Sequence, residues 1–493
     1  MNSSSVSLAP WWRRWLLRAG FIYTFLFATA SSSLLFGVFL VQKHIDTFWN
    51  FIVLGFAQRV FDMKIEPMLF LGSSSDTRFH YMRMLVFLLI AFVGAALWST
   101  LDRKGRTDAG TRTWFPIITR YFVGAMLLCY GWVKVFPLQF PEPHLQDLVR
   151  PFGEMAPMMQ VWRFMGSSPV YTMFGGWAEV IPGLLLFFRR TQILGALGAV
   201  AVMTNVVMIN FCYDIPIKLL SGHLLLMSIV LVAMNSGRLL RFFVFNLPVE
   251  PVKFEPHFSH PKAAMAARIV KGVLVVAWGF SPLLFNALHF QTRSNELPEL
   301  YGIYEVETFM KDGEPVPPLT TDGERWEKMI VDRRGRVFLY FMDGERTEIT
   351  MEREGPEMTL TPTTVIGPGG ANGDLPAESE TDSESDSEIE GDENAVEDSS
   401  VEDNSVEDSA VEDSSVEDSV DEDSTAEDSA EDSTTWIFKR PHPDTWVLTG
   451  TGAQEGTEIK LQKKSLEEFP LVSRGLDMSQ EEAYLGRGTI YLF

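Results

Sequence analysis

The first 290 residues are a series of long apolar runs broken by short polar ones, after which the pattern changes to short alternating segments. A helix needs about 20 mostly apolar residues to cross a bilayer. Runs of that kind lie at roughly 16–41, 80–102, 114–136, 168–189, 191–212, 215–236 and 264–287, and they predict about seven membrane helices. The first run follows Arg13, Arg14 and Arg18, as a signal peptide would. It is longer than a usual signal core, which favours a retained helix. An aromatic stretch from Phe48 to Phe61, in the loop after the first run, fits a membrane interface.

Beyond Leu297 the chain reads as strands. Tyr301–Phe309 and Val337–Met342 are rich in aromatic and β-branched residues. Asp343-Gly344 is a two-residue hairpin turn before Thr347–Met351. Similar runs recur at Met358–Thr361, Trp436–Lys439, Trp446–Thr449 and Thr457–Leu461. Short strands at close spacing predict an antiparallel barrel or sandwich. The fold class is therefore an α-helical transmembrane bundle with a C-terminal antiparallel β domain.

Charge alters this picture at one place. Of the 64 acidic residues, 27 lie between Asp374 and Thr435, where there is no Lys or Arg. The other 37 acids face 41 basic residues, a net of +4 against -23 for the whole chain. The acidic tract repeats Val-Glu-Asp-Ser with small variations, as in Val401-Glu402-Asp403 and Val406-Glu407-Asp408. It has too little apolar surface to offset the cost of ordering, so it predicts a disordered insertion within the β domain. A solvated spacer is the plainer reading, and weak cation binding the other. The domain plan is 1–113, N-terminal membrane helices and an outer loop; 114–246, a four-helix core; and 247–297, a last span and linker. The β domain takes 298–366 with 435–493, and the insert 367–434.

Basic residues predict the orientation. Arg13, Arg14 and Arg18 would be cytoplasmic, as would Arg103, Lys104, Arg106 and Arg112 after the second run. Arg189 and Arg190 follow the fourth run, and Arg238, Arg241, Lys253 and Lys262 the sixth. Every second loop is basic, which sets the N-terminus inside and, with seven spans, the β domain outside a cell membrane. Lys43, Arg59, Lys64 and Arg78 in the first outer loop run against the trend.

Ionisable groups within apolar helices are costly and need a reason. Glu179 falls near the middle of the fourth run. Gly175, Glu179 and Gly183 share a helix face, which lets a neighbour approach closely. Glu179 is then a proton-handling or ligand-binding carboxylate, or a structural tie between helices. Lys134 ends the third run, either snorkelling to the interface or pairing with Glu179. Asn205 shares a face with Gly198 and is expected to bond across a helix contact, with Asn210 a turn further on. Asp214 fits an N-cap for the sixth helix, with Pro216 in its first turn. Lys218 can snorkel. His223 lies deeper and about 140° round the helix from Lys218, so the two need not converge. A lone histidine of this kind is commonly a hydrogen-bonded structural residue.

Redox chemistry built on the protein's own groups is disfavoured. Two cysteines, Cys129 and Cys212, form no CxxC, and their expected depths differ by roughly 10 Å, beyond disulfide reach. The histidines within spans are too few for haem–copper chemistry. No metal site and no nucleic-acid partner is indicated.

Residues 120–236 resemble the DoxX-like membrane protein family. The resemblance rests on Arg120-Tyr121, Tyr130-Gly131-Trp132-Val133-Lys134, Phe136-Pro137-Leu138-Gln139-Phe140 and Gly176-Trp177-Ala178-Glu179. It continues through Arg189-Arg190-Thr191, Leu194-Gly195-Ala196 and Asn210 to Lys218 with His223. It is nearest to a larger bacterial branch with added N-terminal spans and a C-terminal β domain, opened here by Gly302-Ile303-Tyr304-Glu305-Val306-Glu307. The resemblance implies a four-helix core. It associates the chain with a quinol-oxidising system and with membrane redox and thiol stress, without establishing catalysis. Gln480-Glu481-Glu482 stands where the resemblance implies an aromatic-rich closing strand.

Three functions follow as expectations. In a quinone-linked redox component or accessory subunit, Lys134, Gln139, Glu179, Asn205, Asn210, Asp214, Lys218 and His223 supply ligands to a quinone head group. In a non-catalytic assembly or envelope protein, the β domain binds a protein partner. In a relative of the vitamin K-dependent carboxylase membrane domain, a lysine acts as base.

Overall fold

A computed structural model describes residues 10–31, 39–68, 76–251, 260–292, 297–333, 335–366 and 434–469. The described residues form two compact units, one within 10–297 with 466–469 and one within 298–465. The acidic insert and residues 470–493 lie outside the described residues.

The first unit is helical. Its helices are α1 (Trp11–Ala30), α2 (Phe39–Phe61), α3 (Arg78–Leu101), α4 (Asp108–Val135), α5 (Leu145–Val149), α6 (Pro157–Gly166), α7 (Pro169–Phe187), α8 (Gln192–Cys212), α9 (Lys218–Ala233), α10 (Ser236–Leu239), α11 (Pro261–Val275) and α12 (Ser281–Thr292). α3, α4, α7 and α8 are each long and apolar enough to cross a membrane. α9 with the segment Ser236–Val244, bent by 63°, is a fifth if counted as one span.

The sequence boundaries need correction at the front. The run 16–41 is not one helix: α1 ends at Ala30, and a second helix, α2, occupies the loop that holds the aromatic stretch. Trp49, Val53 and Ala57, four residues apart, form the buried face of α2, while Phe48 and Phe51 are exposed. That spacing is the 3.6-residue period of a helix with one packed side.

α4 is the centre of the unit, packing against α1, α7, α9 and α12. Its contact with α7 is a backbone-to-backbone approach. A Cβ on Gly131 would lie 3.0 Å from the Gly176 carbonyl oxygen, and one on Gly124 3.1 Å from that of Gly183. Small residues on facing helices permit this approach. Gly183 takes part as expected, but its partner on α7 is Gly176; Gly175 faces Met165 instead. Pro182 interrupts α7 and its ring packs where Gly198 of α8 leaves room. Between α11 and α12, Val276–Phe280 is a π-helical turn, and Trp132 Nε1 donates to the Gly279 carbonyl there at 3.0 Å.

The second unit is a closed antiparallel barrel. Its strands are β1 (Gly302–Lys311), β2 (Glu314–Pro315), β3 (Trp326–Val331), β4 (Val337–Phe341), β5 (Arg346–Glu354), β6 (Glu357–Ile366), β7 (Thr434–His442), β8 (Thr445–Gly450) and β9 (Thr457–Lys463). β3 to β9 follow in sequence, and β1 pairs with both β3 and β9, closing eight strands; β2 adds to β1. Of the two architectures expected, the barrel is the one formed. Period-two burial fills its interior, as in β8, where Trp446 and Leu448 point inward. The Tyr304 and Trp446 rings meet, tilted by 34°, at 3.7 Å between centroids, and Trp326 meets Trp436 at 5.2 Å. β9 closes the barrel from Thr457, well before Gln480.

Candidate functional site

Lys134 and Glu179 meet. The last turn of α4 brings Lys134 Nζ to 3.0 Å from Glu179 Oε2 on α7, and both side chains are buried. The lysine also donates to the Tyr130 carbonyl at 3.3 Å and lies 5.6 Å from the Tyr130 ring centre. The glycine contacts make this possible, because Gly131 and Gly176 let the two backbones close at the depth of the pair. Its opposite charges offset each other where water is excluded.

The other predicted residues do not join this pair. Asn210 is buried and its amide donates to Ser221 Oγ of α9 at 2.9 Å. Gln139 follows α4, with a buried Oε1 that has no hydrogen-bond partner among the described residues. Asn205 is exposed, contrary to expectation. The α8 face that meets α7 at Gly195 and Gly198 no longer has a neighbour by Asn205, so no cross-helix bond forms among the described residues.

Asp214 is not the N-cap of α9. It sits in the preceding turn with φ of 52° and forms an exposed ion pair with Lys218 at 2.6 Å. The capping carboxylate is Asp76, just before α3. Its two oxygens accept from the backbone N–H groups of Lys218 at 2.6 Å and Leu219 at 2.8 Å. Four unpaired N–H groups open every helix, and a carboxylate from elsewhere in the fold satisfies them as well as a local one.

His223 has a partner that sequence reading missed. Its Nδ1 lies 2.6 Å from the Leu219 carbonyl oxygen, and its Nε2 lies 2.5 Å from the Tyr23 hydroxyl of α1. A carbonyl only accepts, so Nδ1 carries the proton; in the neutral ring Nε2 then accepts from the phenol. Phe27 stacks on the imidazole at 4.0 Å. Nearby on α3, buried Arg83 donates to Met68 Sδ at 3.4 Å, with Asp46 and Tyr23 acting on it electrostatically.

A second missed group is a buried ionic clasp. Arg14 Nε is 2.8 Å from Asp108 Oδ2, and Arg18 Nη2 is 2.8 Å from Asp108 Oδ1 and 2.9 Å from Asp102 Oδ2. It ties α1 to the turn between α3 and α4. Arg14 and Arg18, read from the sequence only as markers of orientation, are thus also structural partners of this turn. The pairing of Arg14 and Arg18 with Asp102 and Asp108 spans 84 to 94 positions and leaves no local signature. Neither cysteine is in a disulfide, and among the described residues no cluster of His, Cys, Asp and Glu could hold a metal ion.

The polar residues described above therefore fall into separate groups. No family model matches the chain, and no solved structure matches it. It is similar to an uncharacterized protein, YwoB, of Bacillus subtilis (strain 168), with 29% identity over 152 residues, a stretch covering 29% of this chain and 91% of that protein.

Proposed function

We propose that the chain is a multi-pass protein of the cell membrane, of the DoxX-like type, and that it serves as an assembly or envelope component. Its helices form the anchor. Its β barrel stands outside the cytoplasm as the surface for a protein partner. The carrying observation is the division of labour among polar groups: Lys134 with Glu179, Asn210 with Ser221 and Tyr23 with His223 each close on themselves. Polar groups spent in this way tie helices together and leave few donors for a substrate. The outward faces agree with a lipid solvent, since Phe92, Val93 and Leu97 of α3 and Phe174, Trp177 and Ile181 of α7 are exposed.

The test begins with the full chain in its membrane. It should resist carbonate extraction, and protease added to intact spheroplasts should cut the acidic tract while sparing the amino end. A mild-detergent pull-down should recover a stable protein partner through the barrel. Extraction by carbonate, or a partner-free monomer, would count against the proposal.

The desolvated Lys134–Glu179 pair favours a second reading, a quinone-linked component in which the pair opens to a head group. Quinone should then co-purify and be lost in Glu179→Gln; unchanged quinone content would reject this. A lysine base of the carboxylase kind would first have to leave Glu179.

A further inference from the structure

Most cations buried in the helical unit have a carboxylate beside them: Arg14, Arg18, Lys134 and Arg163 are all ion-paired. Buried Arg120 of α4 and half-buried Lys271 of α11 have no carboxylate partner among the described residues. Both lie near the junction of α7 and α8. Arg120 is 4% exposed. Its Nη1 donates to Gln192 Oε1 at 2.9 Å, and its guanidinium carbon lies 4.9 Å from the Tyr121 ring centre. Its Nε is buried and has no hydrogen-bond partner among the described residues. Lys271 Nζ lies 5.3 Å from the ring centre of Phe188, the neighbour of Arg189. Arg189 repels both Arg120 and Lys271, and Arg120 repels Lys271.

Nothing in these elements supplies the opposite sign. No Asp or Glu occurs in residues 113–141, 180–213 or 261–295. Like charges gathered where water is scarce raise the energy of the unit unless an anion joins them. Arginine donors and a nearby ammonium match the oxygens of a phosphate, which accepts several charge-assisted bonds at once.

We propose that Arg120, Arg189 and Lys271 form a binding site for a phosphate group, carried by an anionic lipid headgroup or by free phosphate, with the membrane placement proposed above as the premise for the lipid source. Gln192 orients Arg120, and the Tyr121 and Phe188 rings hold the two cations over the junction. Basic pockets between membrane helices bind acidic headgroups by the same chemistry.

The test uses the full chain purified in detergent. Phosphatidylglycerol, phosphatidylcholine and inorganic phosphate are titrated separately, with bound lipid read by native mass spectrometry and phosphate by calorimetry. Wild type should prefer phosphatidylglycerol over phosphatidylcholine. Arg120→Gln and Lys271→Ala should each weaken that binding roughly fivefold or more. Lys271 is only half-buried, so its variant keeps the test valid if Arg120→Gln misfolds. Inorganic phosphate binding that falls in the same variants supports the site with the free anion as its source. Equal binding of both lipids, or of wild type and Lys271→Ala to every probe, would overturn the proposal. Carbonate extraction of the same preparations separates that failure from a failure of membrane placement.

Discussion

Lys134 and Glu179 stand 3.0 Å apart across the α4–α7 contact, with side chains only 11% and 4% exposed. Removing one partner strands the other charge away from water. Lys134→Met alone should lower stability by about 3–5 kcal/mol, and Lys134→Met with Glu179→Leu should recover most of that loss. Unfolding of the full chain in detergent, run as a double-mutant cycle, measures the coupling. Additive losses would mean the two side chains do not depend on each other.

The glycine contact that brings this pair together can be tested apart from its charges. A Cβ on Gly176 would lie 2.6 Å from the Val135 nitrogen and 2.7 Å from the Gly131 oxygen. Backbone cannot yield as a side-chain tip does, so α4 and α7 must part. Gly176→Ala should cost about 1–3 kcal/mol, the usual range for overpacking. Gly222→Ala is the control, since a Cβ there meets nothing within 4 Å; it should be neutral or gain up to about 1 kcal/mol from helix propensity.

Asp76 holds the first turn of α9 through both oxygens. Asp76→Ala should cost about 1 kcal/mol, as loss of a cap does. Amide exchange should quicken at Lys218 and Leu219 while the middle of α9 is unchanged. Asp214→Ala should leave those amides as they are. The reverse pattern would restore Asp214 as the cap.

What could be read from the sequence was whatever is periodic or local. Trp446, Val447 and Leu448 form an aromatic and aliphatic run between Thr445 and Thr449, so β8 was visible as a strand; β3 was not, because Glu327 and Lys328 break the apolar run at Trp326–Val331. Glu179 and Lys134 stood out because charge is rare in apolar helices. The link from Asp76 to Lys218 spans 142 positions, and that from Tyr23 to His223 spans 200. Such pairings are set by which helices pack together, and one chain read alone carries no trace of them. α2 escaped because Lys43, Asp46 and Arg59 interrupt its apolar positions. Asp46 is buried, so a residue that looked like loop polarity belongs to the packed side.

The turn between α3 and α4 should show its own pH dependence. Asp102 accepts bonds from the Thr107 N–H at 3.0 Å and hydroxyl at 2.7 Å, and from the Arg106 N–H at 2.9 Å, with Arg18 at 2.9 Å. The Thr107 bonds, followed by that from Arg106 and the charge of Arg18, hold its carboxyl well below the usual carboxylate range. A carboxylate depressed in the folded state favours folding above its unfolded value, near pH 4, and loses that contribution as pH falls toward the folded one. Asp102→Asn should therefore be less stable than wild type at neutral pH, with the gap closing below about pH 4. Acid unfolding of both proteins from pH 6 to pH 2, followed by near-ultraviolet circular dichroism, measures the gap. The indole of Trp98 donates to Thr107 Oγ1 at 2.9 Å and reports on the same turn. A gap that is constant across the range would show that ionisation of Asp102 contributes nothing to holding α1 against the turn.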